Sequence, residues 1–476
     1  MAWETVMGLE VHVELSTKTK IFCSCTTEFG GEPNTHCCPV CTGMPGTLPV
    51  LNRMVAEYAM KAGIALNCDI TRYNKFDRKN YFYPDLPKAY QISQLYLPIC
   101  RNGYVPIEVD GVEKKIRIHE IHMEEDAGKL IHDPMIDMTK CDYNRCGVPL
   151  IEIVSEPDFR TADEVLAYLA KLKSTLEYLD VSDCKLQEGS MRADVNLSVH
   201  QIGEGFGTRT EMKNLNSFKA IARAIEYESK RQIELIEKGG KVTQETRRWD
   251  DNKERSYAMR SKENAQDYRY FPEPDIPPVE ISDEWFDRVK ASLPEMAKEK
   301  KARYIADFGL PEYDASMITD QKALADFFEA TAAICGKPKE VSNWIMGDLM
   351  RLLKDEAVEA KDMIVRPEDL AKLIELCEKG TLNRKKAREI FAVVFKEPVD
   401  IGAYIKEHNL EQVSDDSVVL DAVAKVFAAN PQSIADYKAG KVKAVGFLIG
   451  QTMRALAGKA DPAVVNRIVN EEIKKV

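Results

Sequence analysis

The sequence predicts an α+β protein: an antiparallel-sheet cradle domain over residues 1–292, an all-helical domain over 293–408 and a small helical tail domain over 409–476. Three observations carry this. Segments of strict period two crowd the first part of the chain, and few stretches there have helical spacing. Pro272, Pro274, Pro277 and Pro278 then form a stiff break, after which period-3.6 patterns run on without convincing strands. The polar stretch from Asn409 to Ser417 sets off a last helical set.

The first strand is Met7-Gly-Leu-Glu-Val-His-Val-Glu-Leu15, which puts Leu9, Val11, Val13 and Leu15 on one face and Glu10, His12 and Glu14 on the other. Half-exposed antiparallel strands alternate in this way as a rule, so a solvated face would account for it. A row of carboxylates and an imidazole also suits a cation, because clustered like charge is unfavourable unless something neutralises it.

Next come Cys23-Ser-Cys25 and Cys38-Pro-Val-Cys41, a spacing within the range of structural tetrahedral zinc sites, with Gly30-Gly31 and Pro39 suited to a knuckle. Unliganded thiols remain an alternative, and His36 and Cys37 compete as ligands. The isolated cysteines among the twelve read as small buried hydrophobes.

Ile116 to Asp126 starts as an alternating strand, slips phase at His119-Glu120 and ends in three acids, so a bulge would aim Glu124 or Glu125 inward. Leu150-Ile-Glu-Ile-Val154 holds Glu152 inside an apolar run, where an ionised group needs a salt-bridge partner or a metal. A helix begins at the capping box Thr161-Ala-Asp-Glu164, and another runs from Ser217 to Gly239-Gly240. Between them, Arg192 to His200 carries Asp194, Asn196 and Ser198 on one polar face, and Thr208 to Asn214 alternates Arg209, Glu211 and Lys213. Glu10, His12, Glu125, Glu152 and Glu211 on one concave sheet would make an oxygen-rich site for magnesium, the partner of phosphoryl transfer.

Composition narrows the function. No apolar run approaches the roughly 18 residues of a membrane span, and Met-Ala-Trp-Glu is no signal peptide, so a cytoplasmic protein without membrane contact is expected. A formal charge of -11 rules out a chain-wide basic surface. The tail differs: from Lys425 onward Lys438, Lys441, Lys443, Arg454 and Arg467 stand among few acids, which suits either phosphate contact or a solvated helix face. P-loop, dinucleotide-fold and hydrolase-elbow signatures are missing, so the chemistry must come from the sheet face.

Gly8-Leu-Glu-Val-His12, Cys38-Pro-Val-Cys41, Lys79-Asn-Tyr-Phe-Tyr-Pro-Asp-Leu-Pro-Lys88, Tyr90-Gln-Ile-Ser-Gln94, Glu188-Gly-Ser-Met-Arg192-Ala-Asp194, Lys213-Asn-Leu-Asn-Ser217 and the run from Met259 to Asp275 together resemble the B subunits of aspartyl/glutamyl-tRNA amidotransferases. The tail motif Gly440 to Met453 is similar to that family's tRNA-contacting helical domain. The chain departs from the pattern at Ala89, where the family has glycine, and at Cys37, an added thiol.

The resemblance implies a two-step reaction in which magnesium-ATP phosphorylates the side-chain carboxylate of Glu-tRNA(Gln) or Asp-tRNA(Asn), and ammonia then displaces phosphate. It implies Glu10, His12, Glu125, Glu152 and Glu211 as catalytic metal ligands and Lys79, Arg192 and Lys213 as phosphate or substrate contacts, beside the zinc on Cys23, Cys25, Cys38 and Cys41 that their spacing favours. The implied partners are a glutaminase subunit that supplies ammonia, a small bracing subunit that makes the enzyme a heterotrimer, and the misacylated tRNA. The alternative is a non-catalytic, zinc-containing tRNA-binding module, which would explain the knuckle and the tail but not Glu152 or the Glu10/His12 face.

Overall fold

In a computed structural model the chain forms two compact units, Met1–Met296 and Ala297–Val476. The structure describes every residue except Met1, Pro134, Gln187, residues 260–267, Asn409, residues 411–415, 439–440, Val442, residues 457–459, Asp461 and Val476. Residues 260–267 of the run from Met259 to Asp275, and most of the expected break before the tail, therefore lie outside the described residues.

The first unit is built on a nine-stranded sheet. Its strands are β1 (Trp3–Glu14), β2 (Asp69–Ile70), β3 (Cys100–Val109), β4 (Val112–Glu125), β5 (Pro149–Ser155), β6 (Met191–Gln201), β7 (Thr210–Lys213), β8 (Thr246–Asp250) and β9 (Arg255–Ala258). They lie in the order β9-β8-β7-β6-β1-β5-β4-β3-β2. All pairings are antiparallel but one, as expected of an antiparallel-sheet cradle; β7 and β8 run parallel. The cause is the helix Phe218–Glu237 between them, since parallel neighbours need a long crossover.

One face of the sheet is apolar. Leu9, Val11 and Val13, flanked by Ile151 and Ile153 on β5 and by Ala193, Val195 and Leu197 on β6, are buried in a single core. Helices α1 (Arg53–Ala65), α2 (Ala162–Tyr178) and α3 (Phe218–Glu237) cover it, contributing Val55, Leu169, Leu172, Ile221 and Ala224. The caps sit where the sequence signals them: the Thr161 hydroxyl accepts from the Glu164 amide at 3.2 Å, and the Ser217 hydroxyl from Ala220 at 3.0 Å. Gly239, at φ +81°, ends α3. The opposite face carries Glu10 and His12 of β1, Glu152 of β5 and Arg192, Asp194 and Asn196 of β6.

The elements of the second unit are helices among its described residues, from Ala297–Phe308 to Pro462–Glu472. Asp416–Ala429, Lys443–Ala455 and Pro462–Glu472 share a core of their own around Val419, Val423, Leu448, Val465 and Val469. Among the described residues no helix is long and apolar enough to cross a membrane.

Candidate active site on the polar face of the sheet

Strand register assembles the site. His12 on β1 lies opposite Glu152 on β5 and Arg192 on β6, and Glu152 in turn lies opposite His122 on β4, so one row crosses four strands. Cross-strand neighbours are close enough for their side chains to meet. The His12 Nε2 atom is 3.6 Å from a carboxylate oxygen of Glu124 and 3.6 Å from one of Glu152. His122 pairs with Glu152 at 2.6 Å. His12, Glu124 and Glu152 form a group whose ligand atoms all lie within 4.8 Å of one another.

A second group stands beside it. Glu10 faces Asp194 in register, and Glu211 on β7 completes a set within the same 4.8 Å limit. Asn196 donates to Glu10 at 2.9 Å and the Thr246 hydroxyl to Glu211 at 2.6 Å. Lys213 neutralises part of this charge, with its ammonium 2.6 Å from Asp194 and 2.9 Å from Glu211.

The electrostatics record the crowding. Burial, then Glu152 and Glu211, push the Glu10 carboxyl above its ordinary range. Burial and Glu152 do the same to Glu124. Burial would also raise Glu152, but His122 and His12 outweigh it and hold that carboxyl well below the usual range. Five carboxylates and one imidazole across the two groups are the donor chemistry of a hard divalent cation, and the 3.6 Å separations in the first group are close to the roughly 3 Å between neighbouring ligands at metal–ligand distances near 2.1 Å. The residues present therefore fit magnesium.

Glu125 does not join either group, a correction to the expected ligand set. The β4 bulge is at His119: Val154 pairs with Glu120 and Ser155 with Ile118, leaving His119 without a partner on β5. Beyond the bulge Ile121 and Met123 point into the core, so Glu120, His122 and Glu124 share the polar face and Glu125 the apolar one. There Glu125 pairs with Lys88 and accepts from the Ile92 amide at 2.9 Å, in a small cavity also lined by Phe22, Cys41 and Tyr90. The period counted from Ile121 and Met123 is the signal that selects Glu124. Asp194 was legible as a polar-face residue, but its place beside Glu10 depends on register between β1 and β6.

Of the expected cations, Lys79 is aimed at the first group. It lies over the rings of Tyr268 (5.0 Å) and Tyr81 (5.8 Å), and although burial disfavours its ammonium, Tyr270, Glu124 and Glu152 outweigh that and stabilise the charge. The segment from Tyr268 to Asp275 is pinned by Arg78, which reaches Glu273 at 2.6 Å and Asp275 at 3.0 Å. Arg192 is engaged with Asp126 at 2.8 Å, and Lys213 with the second group.

A cleft of about 540 Å³ opens beside Glu10, lined among others by Gly8, Asn196, Ser198, Phe206, Thr208 and Arg209. Gly207 makes it possible: a Cβ there would lie 2.1 Å from the Val199 carbonyl oxygen, so only glycine lets the segment carrying Phe206 and Arg209 lie against β6. The volume is in the range of small-molecule sites.

The four expected cysteines also converge. Cys23, Cys25, Cys38 and Cys41 have all sulfurs within 4.8 Å, and Cys38 and Cys41 are 3.9 Å apart. Tetrahedral zinc with bonds of about 2.3 Å requires sulfur separations near 3.8 Å, so this set fits zinc. The competitors turn elsewhere: the Cys37 thiol donates to the Asn34 carbonyl at 3.2 Å, and the His36 ring lies 3.2 Å from the Glu28 carbonyl. A hydrogen bond from Cys23 helps to hold the Cys41 thiol far below its ordinary value.

The model of the GatB/GatE catalytic domain matches residues 5–287, and that of the GatB domain matches residues 326–473. The chain belongs to the B-subunit family of aspartyl/glutamyl-tRNA(Asn/Gln) amidotransferases. It is 65% identical to the family member of Lachnoclostridium phytofermentans over 99% of each chain. It is 63% identical to that of Lachnospira eligens over 99% of each, and 56% identical to that of Caldicellulosiruptor bescii over all of both chains. Membership makes the chain a component of a tRNA-dependent amidotransferase, a ligase acting in protein synthesis, and does not favour a non-catalytic binding module.

Proposed function

We propose that the polar sheet face is where the side-chain carboxylate of Glu-tRNA(Gln) or Asp-tRNA(Asn) is activated by ATP and converted to an amide. The observation that carries this reading is the pair of three-ligand groups, His12/Glu124/Glu152 and Glu10/Asp194/Glu211, beside a nucleotide-sized cleft. A carboxylate acylates poorly because oxide is a poor leaving group. Its oxygen attacks the γ-phosphorus of ATP and ADP leaves; ammonia then attacks the acyl carbon and phosphate departs with the electron pair of the C–O bond.

His12, Glu124 and Glu152 would hold one magnesium ion, and Glu10, Asp194 and Glu211 are suited to a second. Bound there, magnesium supplies charge neutralisation on the phosphoryl oxygens. Lys79, already desolvated over its tyrosines, would meet the transferring phosphoryl group or the substrate carboxylate. Lys213 and Arg192 keep the surrounding acids in place and would turn to phosphate when it arrives. The nucleotide would enter the cleft, with Phe206 against the base and Arg209 toward the phosphates.

Ammonia would come from a separate glutaminase subunit, with a small third subunit completing the enzyme. The basic residues of the tail suit tRNA phosphates, and a reaction on aminoacyl-tRNA belongs in the cytoplasm. ATP binding to the assembled enzyme tests the cleft: Arg209→Ala is expected to raise the KM for ATP roughly tenfold, the loss of about one charged hydrogen bond, with tRNA affinity unchanged. An unaltered KM would remove the nucleotide from this cleft.

A further inference from the structure

Lys20 is fully buried, yet among the described residues no carboxylate pairs with it. Its ammonium donates to the His36 carbonyl at 2.7 Å and reaches the Cys41 sulfur at 3.7 Å. The backbone fastens the same residue to the cysteine loop: the Lys20 amide donates to the Cys25 carbonyl at 2.9 Å, and the Ile21 amide to Gly147 at 2.9 Å. A lysine is almost never buried in this way unless a counter-charge stabilises it.

The sulfurs can supply that charge. Four thiolates around one divalent cation carry a net double negative charge, which is as costly to bury as an unpaired ammonium. Lys20 touches one of those sulfurs and, through the His36 carbonyl, the loop that brings Cys38 and Cys41 to the other pair. We propose that Lys20 is the positioning and charge-compensating residue of the four-cysteine site, raising its affinity for zinc from outside the ligand set. The proposal rests on the zinc reading of that site. Outer partners of metal ligands act in this way, by orienting them and offsetting their charge.

Gly147, at φ +78°, has its vacant Cβ position 3.6 Å from the Lys20 Cδ, so the aliphatic stem fills space that methionine would also fill. Lys20→Met therefore removes the charge and keeps the packing, and Lys20→Arg keeps the charge. The test is zinc affinity of the full-length chain by competition with a chromophoric chelator at fixed pH and salt, alongside zinc content and the melting temperature of the metal-free proteins.

The expected result is that Lys20→Met loses zinc affinity ~10–100-fold, that Lys20→Arg recovers most of it, and that the metal-free Lys20→Met protein melts no lower than the wild type. Equal affinity in wild type and Lys20→Met, with a lower metal-free melting temperature in the variant, would overturn the proposal and leave Lys20 a tie for the His36 loop. A wild-type chain that takes up no zinc would overturn the zinc reading and this proposal together.

Discussion

Glu125→Gln preserves the shape of the side chain and removes its charge, so it separates two roles open to this carboxylate: metal ligand or partner of Lys88. The Lys88 and Glu125 side chains are 11% and 4% exposed, and the pair lies on the core side of β4. Removing one charge from such a pair leaves the other buried and uncompensated, at a cost of about 3–5 kcal/mol. For a unit of this size that lowers the thermal midpoint by roughly 5–8 °C. The glutamine carbonyl can still accept from the Ile92 amide, so the loss belongs to the charge. Adding Lys88→Met removes the stranded ammonium, and the double variant should recover most of the stability, with a coupling of at least ~3 kcal/mol in the cycle. The assay is thermal unfolding with and without magnesium, joined to a magnesium titration of ADP formation in the assembled enzyme. A Glu125→Gln protein that melts like the wild type but needs far more magnesium would refute the reasoning and return Glu125 to the ligand set.

Glu124→Gln should behave in the opposite way, raising the magnesium concentration for half-maximal ADP formation at least ~10-fold, with a midpoint that stays close to the wild type's in the absence of metal. Lys213→Met removes the resident cation of the Glu10/Asp194/Glu211 group; with the lysine 37% exposed, its loss should cost about 1–2 kcal/mol without metal, and magnesium should then stabilise the variant more than the wild type in a melting assay. Ala89 adopts φ +62°, a left-handed conformation that costs a residue with a Cβ about 1–2 kcal/mol, part of which glycine returns as unfolded-state entropy. Ala89→Gly, the residue of the family pattern, should therefore raise stability by about 0.5–1 kcal/mol by urea denaturation.

Much of this site is legible in the alternation of β1, because burying Leu9, Val11 and Val13 against helices forces Glu10 and His12 onto the other face. The phase slip near His119 is legible for the same reason, and counting on through Ile121 and Met123 would have preferred Glu124 to Glu125. What local pattern does not carry is register. Asp194 meets Glu10 only because β6 flanks β1, and Glu152 meets His122 only because β4 flanks β5, each in one alignment, a non-local fact. The parallel pairing of β7 and β8 escaped for a related reason: both strands are short, and nothing in Thr210–Lys213 or Thr246–Asp250 states their relative direction. Lys20 left no mark in the sequence either, since one lysine before a cysteine pair looks like any solvated charge until its burial is known.

The measurement closest to the central claim, that this sheet face activates the acid and receives ammonia, is made on the chain assembled with its glutaminase and small partners. The assembly is supplied with misacylated Glu-tRNA(Gln), magnesium-ATP and ammonium chloride, which bypasses the glutaminase, and ADP and Gln-tRNA are scored together. The expected result is that wild type forms both products in step, while Glu10→Gln binds the tRNA and forms neither. Normal amide formation by Glu10→Gln, or tRNA binding by the wild type without ADP or amide, would contradict it.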